Sequence, residues 1–427
     1  MNEKSDKAAR FGTRLKYEEI RAKSAILNKY SDPDSWFWVE ATTNPYRGCQ
    51  HNCAYCDGKA EYYQIEDFAS HIRVKTNAPQ LLTKELINLG FHETFRPGRK
   101  TLLDYLPDEA QEKRALEGLK GNKQRKFLIA VGGGVCDVYQ PAEAEFRVTR
   151  ALLKVCRDFG FPVSMLTKNV LILRDLDLLK AINEISYANV SFSITLADEK
   201  LRKIFEPGSS SSTDRFTALQ KVRRAKLPGG VMFMPILPGI GDTDENMRAI
   251  IGRAKEVGAE FVLPAGLTLK PGRNKDAFLQ VIATNFPEKL PLYKDIYRSN
   301  NKYGIGDFSK CINVAKEGHE LCKEFDIPDR IPRYLGNART FLGIPNNLRV
   351  SEILHEIAYL IQFVHGQGWN RAQAYKKAAE AIEDHVEDVN MLPIEELQNI
   401  PNVGTSIAKI VHEIIETGTC GLKEKLY

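Results

Sequence analysis

The feature that most constrains the fold is a regular alternation of short apolar or β-branched runs with longer helical patterns between about residues 36 and 270. Such an alternation predicts βαβ units built on a parallel sheet. Six strands are predicted, at residues 36–42, 127–131, 163–167, 189–194, 231–236 and 261–265. Helices are predicted at residues 79–89, 141–159, 173–184, 213–225 and 243–257. The pattern therefore predicts an α/β fold, a partial (β/α)6 barrel.

The chain of 427 residues is long enough for more than one domain. After Tyr334 the strand pattern stops and helical patterns with Gly and Pro punctuation follow. We predict an N-terminal extension (residues 1–35), the partial barrel (residues 36–345) and a small all-helical domain (residues 346–427). Residues 91–126 are charged and longer than a crossover requires, which predicts an insertion in the barrel.

Composition excludes several classes of protein. With 43% hydrophobic and 27% charged residues, neither a disordered nor a collagen-like chain is expected. The first ten residues are polar, and no stretch approaches the ~18 uninterrupted apolar residues of a membrane span. We therefore expect a cytoplasmic protein without a membrane partner.

The charge distribution is uneven. The formal net charge of +5 permits nucleic-acid binding without arguing for it. From Trp369 to the end, however, there are six Lys or Arg against ten Asp or Glu, a net charge of −4. A polyanion is therefore expected to contact mainly the larger, preceding part of the chain.

Three of the eight cysteines, Cys49, Cys53 and Cys56, lie in one loop after the first predicted strand. Such clustering does not fit a secreted disulfide framework and favours a metal or cluster site. Three thiolates at this spacing can bind three irons of a [4Fe–4S] cubane and leave the fourth iron open to an outside ligand. A zinc site completed by His51 or a remote residue is the alternative that the spacing leaves open.

This CxxxCxxC pattern, with Tyr55 before the last cysteine, resembles the signature of the radical S-adenosylmethionine (SAM) superfamily. The resemblance implies a [4Fe–4S] cluster on Cys49, Cys53 and Cys56, with SAM bound to the remaining iron and Tyr55 beside the cofactors. It also implies one-electron reductive cleavage of SAM to a 5′-deoxyadenosyl radical, fed by an electron donor such as flavodoxin or ferredoxin.

A glycine triplet ends the second predicted strand, where backbone groups without side chains can approach a ligand closely. A tight turn from strand to helix would explain the triplet as well. Superfamily members use a glycine-rich stretch at this point to meet the methionyl amino group. The resemblance therefore implies that Gly132, Gly133 and Gly134 contact SAM.

Further motifs resemble the spore photoproduct lyase and DNA repair photolyase-like group of that superfamily, over roughly residues 15–270. They are Asn44-Pro-Tyr-Arg-Gly-Cys49, Asp137-Val-Tyr-Gln-Pro141, Thr167-Lys168, Ser191-Phe-Ser-Ile-Thr195, Phe205-Glu-Pro207 and Pro235-Ile-Leu-Pro-Gly239. The resemblance implies that Lys168 and Ser193 contact SAM, chemistry that an ammonium and a hydroxyl can perform. A solvated lysine at a strand end is the alternative for Lys168.

One departure from that group concerns the hydrogen-atom donor. Spore photoproduct lyase carries a donor cysteine just after strand two, and alignment on Asp137 places that position at Gly134. Spore photoproduct repair is therefore not expected. Cys136 is predicted to face the radical site, with an inert buried cysteine as the alternative, and Tyr139 is the second catalytic candidate. Isolated thiols in the core or at the surface are predicted for Cys156, Cys311, Cys322 and Cys420.

Near the end of the chain, residues 397–411 combine two helical patterns with a short turn and resemble a helix-hairpin-helix. In that motif the backbone N–H groups of the turn bind a DNA phosphate without reading bases. The usual first glycine of the turn is Asn402 here, which tolerates a left-handed backbone.

Residues 350–427 as a whole resemble the N-terminal lyase-type domain of family X DNA polymerases. Its Schiff-base lysine falls on Ile410, so no lyase chemistry is expected. The predicted DNA contacts are Arg371, Lys376, Lys377, Val403, Gly404, Thr405 and Lys409. A helical bundle for packing or protein contact is the alternative.

The sequence thus predicts a radical SAM enzyme that acts on DNA, in repair or modification. The alternative is a radical SAM enzyme for a protein or small-molecule substrate, in which the helical domain contacts a partner. A third hypothesis is a non-enzymatic iron–sulfur or zinc scaffold.

Overall fold

A seven-stranded sheet forms the centre of the molecule. The computed structural model describes residues 15–30, 35–94, 125–132, 135–337, 340 and 342–427. The strands are β1 (Lys16–Ile20), β2 (Ile26–Lys29), β3 (Ala41–Thr43), β4 (Tyr46–Arg47), β5 (His71–Lys75), β6 (Ile129–Val131), β7 (Val163–Thr167), β8 (Ala188–Ser193), β9 (Val231–Ile236) and β10 (Val262–Gly266). The central sheet has the order β10-β9-β8-β7-β6-β3-β2, and only its edge strand β2 is antiparallel to its neighbour.

The six parallel strands are those predicted from the sequence. β7 and β9 have the predicted bounds, β6 begins two residues later than predicted, and β8 and β10 are each displaced by one residue. The prediction for the first strand was too long, because Trp38 has a φ of 58° and interrupts the extended backbone before Ala41. The α/β fold with a parallel sheet is thus confirmed.

A second sheet, of order β1-β5-β4, was not predicted. β1 runs parallel to β5, and β4 runs antiparallel to it. β1 (Lys-Tyr-Glu-Glu-Ile) is mostly polar and β4 has two residues, so neither shows a strand pattern. Of the predicted N-terminal extension, residues 15–30 supply β1 and β2 to the two sheets. Most of the predicted insertion, residues 95–124, lies outside the described residues.

Helices follow the parallel strands and cover the sheet. They are α1 (Ala78–Asn88), α2 (Ala142–Phe146), α3 (Val148–Phe159), α4 (Leu176–Ile185), α5 (Glu199–Phe205), α6 (Ser212–Arg224), α7 (Asp244–Glu256), α8 (Arg273–Asn285), α9 (Leu290–Ile296) and α10 (Phe308–Glu324). The single helix predicted at residues 141–159 is two, because Arg147 takes a left-handed φ of 52° between α2 and α3.

The C-terminal part is entirely helical over its described residues. It contains α11 (Pro345–Tyr359), α12 (Trp369–Glu383), α13 (Ile394–Leu397), α14 (Thr405–Thr417) and α15 (Gly421–Leu426). These helices pack around a core of their own, which includes Leu354, Ala379, Val403 and Val411. No helix in the described ranges is both long enough and apolar enough to cross a membrane.

The helical part packs against the amino-terminal end of the barrel. Trp38 lies just before β3, its indole N–H donates to the Ile331 carbonyl at 2.8 Å, and its ring meets His355 of α11 edge-on at 5.6 Å. Arg125, before β6, lies 3.2 Å from Glu383 at the end of α12. The carboxyl end of the barrel, where the cysteine loop begins, is the opposite end.

A buried carboxyl at this contact predicts a pH dependence of stability. Burial raises the pKa of Glu40 from 4.5 to about 7, although Arg125 lies against it. In this window the folded state binds more protons than the unfolded state, so stability falls as pH rises from about 4.5 to 7. As pH rises over that range, the unfolding free energy of the Glu40→Gln variant should fall by up to ~3 kcal/mol less than that of the wild type. Urea unfolding at pH 5 and pH 8 measures the difference.

The matched control for this prediction is Glu395→Gln, which removes one negative charge from an exposed position on α13. Its stability should follow the wild-type pH profile. An unchanged profile in Glu40→Gln would contradict the assignment.

Candidate active site

One cavity at the carboxyl ends of the central strands is lined by most of the site residues predicted within the barrel. Its walls come from the cysteine loop (residues 48–56) and from the segments that follow β6, β7 and β8. The lining residues are Cys49, His51, Cys53, Cys56, Gly132, Val135, Cys136, Asp137, Leu166, Thr167, Lys168 and Ser193. Parallel strands bring these distant residues together because their carboxyl ends meet at one edge of the sheet.

Backbone and amide hydrogen bonds hold the cysteine loop from several sides. They are Cys49 N–H to Phe68 O (2.7 Å), Ala54 N–H to Phe205 O (2.7 Å), Gly208 N–H to His51 O (3.0 Å), Gln140 Nε2 to Gly48 O (3.0 Å) and Asn274 Nδ2 to Cys56 O (2.8 Å). These contacts with other segments hold the loop in place, as a preorganised ligand set requires.

The three cysteines are free thiols within this cavity. Cys49 and Cys53 are only 5% and 7% exposed. Burial raises the pKa of Cys53 to about 12, so the free thiol is neutral and iron binding would release its proton. Soft thiolates from one loop suit iron–sulfur ligation.

Within the described ranges, no group of three or more His, Cys, Asp or Glu residues is placed to hold a single metal ion. A cubane does not require such a group, because each cysteine binds its own iron. His51, the extra ligand of the zinc alternative, has its Nδ1 atom 3.2 Å from Asp137 Oδ2 and its Nε2 atom 3.5 Å from the Asn169 amide. The residues present thus fit a three-cysteine cluster.

Asp137 joins three segments of the cavity. Its carboxylate accepts hydrogen bonds from Tyr139 N–H (2.8 Å), Thr167 Oγ1 (2.7 Å) and Lys168 N–H (2.7 Å). Burial would raise the pKa of Asp137, but His51 and these hydrogen bonds lower it to about 2. An ionised carboxylate therefore connects the ends of β6 and β7 with the cysteine loop.

The predicted SAM contacts lie around the same cavity. Gly132, Lys168 and Ser193 line it. Gly132 has a φ of 77°, and a Cβ atom there would lie 2.4 Å from Val138 Cγ1, so glycine is required. Gly133 and Gly134 lie outside the described residues. Lys168 Nζ lies 5.7 Å from the centre of the Tyr55 ring, which places an ammonium beside the cysteine loop.

The two catalytic candidates are placed differently. Cys136 is buried and lines the cavity, and burial raises the pKa of its thiol to about 12, so it keeps its hydrogen atom. Tyr139 is fully buried behind the cavity wall, where its hydroxyl donates to Asp175 Oδ2 at 3.2 Å. The structure brings Cys136 to the cavity and does not bring Tyr139 there.

Comparisons with known proteins agree with this geometry. Residues 43–251 match the radical SAM superfamily, and residues 345–420 match a helix-hairpin-helix domain. The chain contains a radical SAM domain followed by a helix-hairpin-helix domain. This finding confirms the resemblances drawn from the cysteine spacing and from the C-terminal hairpin pattern.

Two relatives match about two thirds of the chain. An uncharacterized protein of Mycobacterium tuberculosis (strain H37Rv) is 27% identical over 289 residues, covering 66% of this chain and 74% of that protein. An uncharacterized protein of Methanocaldococcus jannaschii is 27% identical over 282 residues, covering 66% and 87%. Among solved structures, spore photoproduct lyase complexed with dinucleoside spore photoproduct gives a TM-score of 0.46 at 16% identity, covering 72% of this chain and 79% of that chain.

The helix-hairpin-helix domain presents the predicted turn at its surface. Asn402 has a φ of 65°, which confirms the predicted left-handed conformation. Val403 is buried beneath the turn, whereas Gly404 and Thr405 are exposed at the start of α14. The predicted basic contacts Arg371, Lys377 and Lys409 are exposed, and Lys376 Nζ lies 3.9 Å from Glu380.

Three residues of the radical SAM site were not assigned a role from the sequence. His51 was weighed only as a zinc ligand, and Asp137 and Glu206 stood in recognised motifs without a function. For Asp137, a carboxylate in an otherwise apolar stretch after a strand was the available signal. Their partners lie in other segments, so the sequence alone could not identify the contacts.

Proposed function

We propose that this protein is a radical SAM enzyme that cleaves SAM at a [4Fe–4S] cluster bound by Cys49, Cys53 and Cys56, and that its substrate is DNA. The observation that carries the first part is one cavity lined by the three thiols together with Lys168 and Ser193. A bound cluster would supply the electron that splits SAM into methionine and a 5′-deoxyadenosyl radical.

The chain's own residues perform binding, orientation and exclusion of water. The Lys168 ammonium pairs with the methionyl carboxylate, and the Ser193 hydroxyl bonds a ribose or carboxylate oxygen. Backbone groups at Gly132 meet the methionyl amino group. Asp137 fixes the backbone of Lys168, and the Cys136 thiol holds a hydrogen atom at the cavity wall. A flavodoxin- or ferredoxin-like protein is the proposed reductant.

The proposal of DNA as substrate is supported by the helix-hairpin-helix domain. Its turn exposes Gly404 and Thr405 at the N-terminus of α14, a 13-residue helix whose first N–H groups can bind a phosphate. Exposed Lys377 and Lys409 supply positive charge for phosphates. The domain would dock the DNA rather than supply a catalytic group.

The second candidate function is radical SAM chemistry on a protein or small-molecule substrate. Two observations favour it: the net charge of −4 over residues 369–427, and the contact of α11 with the barrel end opposite the cysteine loop. On this view the helical domain closes the barrel or contacts a protein partner.

The test of the DNA proposal is 5′-deoxyadenosine production by the reduced, cluster-loaded protein with and without gapped or UV-irradiated DNA. Production that rises with DNA, and DNA binding that weakens steeply with salt, are expected. SAM cleavage indifferent to DNA would support the second candidate instead.

A charge variant in the helix-hairpin-helix domain makes this test specific. Replacing Lys377 and Lys409 together with alanine should weaken DNA binding and reduce the salt dependence by about one phosphate contact per lysine. Lys425→Ala, which removes an exposed charge from α15 of the same domain, is the matched control. If the double alanine variant binds DNA as tightly as Lys425→Ala does, docking at the hairpin is contradicted. Fluorescence anisotropy across a salt series measures both quantities.

A further inference from the structure

A short segment at residues 205–210 lies directly against the cysteine loop. The Phe205 carbonyl accepts from Ala54 N–H at 2.7 Å, and Gly208 N–H donates to the His51 carbonyl at 3.0 Å. The same segment reaches the end of β7, since Ser210 N–H donates to the Lys168 carbonyl at 3.1 Å. We call residues 205–210 the supporting segment.

Glu206 is the charged residue of the supporting segment, and it is fully buried. One carboxylate oxygen accepts from the Tyr55 hydroxyl and from Thr195 Oγ1, the latter at 3.0 Å. The other pairs with Arg215 Nη2 at 2.6 Å, and the Arg215 side chain is fully buried too. Burial would raise the pKa of Glu206, but Arg215 and Lys168 lower it to about 2, so the carboxylate is ionised.

Arg215 extends these contacts to the end of β8. Its Nη1 atom donates to the Ser193 carbonyl at 2.5 Å. One buried ion pair therefore connects Tyr55, which stands between two of the cluster cysteines, with the backbone of Ser193. A buried ion pair contributes little net stability on average, so its stabilisation of the fold does not by itself explain this arrangement.

We propose that Glu206 is a positioning residue that fixes the cysteine loop relative to the ends of β7 and β8, so that cluster and SAM are held in register. The carboxylate acts through Tyr55 and Arg215 and does not touch SAM. This inference rests on the proposed function, because Glu206 would position the cysteine loop for the binding of SAM.

The test uses the full chain, reconstituted anaerobically, in three variants: Glu206→Gln, Tyr55→Phe and the double variant. Binding of SAM is measured by anaerobic calorimetry and by the change that SAM causes in the electron paramagnetic resonance spectrum of the reduced cluster. Each single variant should bind SAM about tenfold more weakly, the effect of losing a hydrogen bond to a charged group. The double variant should be little worse than Glu206→Gln, because both changes remove one shared contact.

A second Tyr–Glu–Arg group in the same domain, also centred on a buried carboxylate, gives a matched control. Tyr46 donates to Glu143 Oε2 at 2.5 Å, and Arg174 Nη2 lies 2.6 Å from Glu143 Oε1, away from the cavity lining. Glu143→Gln should lower the melting temperature and leave the SAM affinity of the folded fraction unchanged. Iron content, measured for every variant, separates loss of the cluster from loss of register.

The outcomes are distinct. Wild-type affinity in Glu206→Gln and Tyr55→Phe, beside a wild type that binds SAM, would overturn this inference alone. Additive losses in the double variant would also overturn it. A cluster-loaded wild type that binds no SAM would overturn the proposed function together with it. If Glu206→Gln does not fold, Tyr55→Phe, which keeps the Glu206–Arg215 pair, still decides the question.

Discussion

Replacing any one of Cys49, Cys53 and Cys56 with serine is expected to abolish SAM cleavage, with a loss of at least about a thousandfold, or ~4 kcal/mol of activation free energy. A serine hydroxyl is a poor ligand for iron compared with a thiolate, and the proposed cluster would bind these three thiols from one loop. Iron and sulfide content per chain and the yield of 5′-deoxyadenosine, both after anaerobic reconstitution, measure the effect.

Two buried cysteines outside the cavity are the controls for this prediction. Cys156 and Cys322 lie in the core of the barrel. Their alanine variants should load iron and cleave SAM as the wild type does once folded. Full iron content and full cleavage in a serine variant of the cysteine loop would contradict the assignment of that ligand.

Gly208→Ala is expected to damage the cysteine loop, although Gly208 itself carries no functional group. A Cβ atom at this position would lie 2.2 Å from the Gln50 carbonyl oxygen and 2.8 Å from His51 Cα. Both atoms belong to the backbone between Cys49 and Cys53, so the cysteine loop and the supporting segment must move apart. We expect a loss of ~1–3 kcal/mol of unfolding free energy and a severe loss of bound iron. Urea unfolding and iron analysis check the two effects.

Gly266→Ala is the matched control, because nothing lies within 4 Å of a Cβ atom at that position and its φ is outside the left-handed region. It should change stability by no more than about 0.5 kcal/mol. If Gly208→Ala retains iron as well as Gly266→Ala does, the supporting segment does not set the position of the cysteine loop.

The central strands could be predicted because the residues of each strand form a recognisable pattern without reference to distant parts of the chain. β7 and β9 are apolar runs with turn residues on either side, and their bounds were predicted correctly. β1 is mostly polar and its partner β5 lies 55 residues further along the chain, so only the folded chain shows the pair. The break at Arg147 was missed because a single left-handed residue leaves the surrounding helical periodicity unchanged.

The candidate site divides in the same way. The three cysteines are close together in the sequence, so their spacing alone predicted a metal or cluster site. The contacts of Asp137 with His51 and Lys168, and that of Tyr55 with Glu206, join segments that only the sheet brings together. Cys136 and Tyr139 are three residues apart, yet one lines the cavity and the other faces Asp175, a difference in orientation that no sequence pattern shows.

The place of the helical domain was also beyond sequence reasoning. The sequence predicted an all-helical domain at residues 346–427 but not the surface against which it packs. In the structure, Trp38 and His355 bring α11 against the amino-terminal end of the barrel. For the DNA proposal, this contact means that a duplex held at the hairpin must extend along the barrel to reach the cavity.

The measurement that tests the central claim most directly is SAM cleavage by the purified protein. The protein is reconstituted anaerobically with iron and sulfide, reduced with dithionite, given SAM, and assayed for 5′-deoxyadenosine and methionine. We expect both products in equal amounts, only with reductant, and only while Cys49, Cys53 and Cys56 are intact. A fully cluster-loaded, reduced protein that forms neither product would contradict the account.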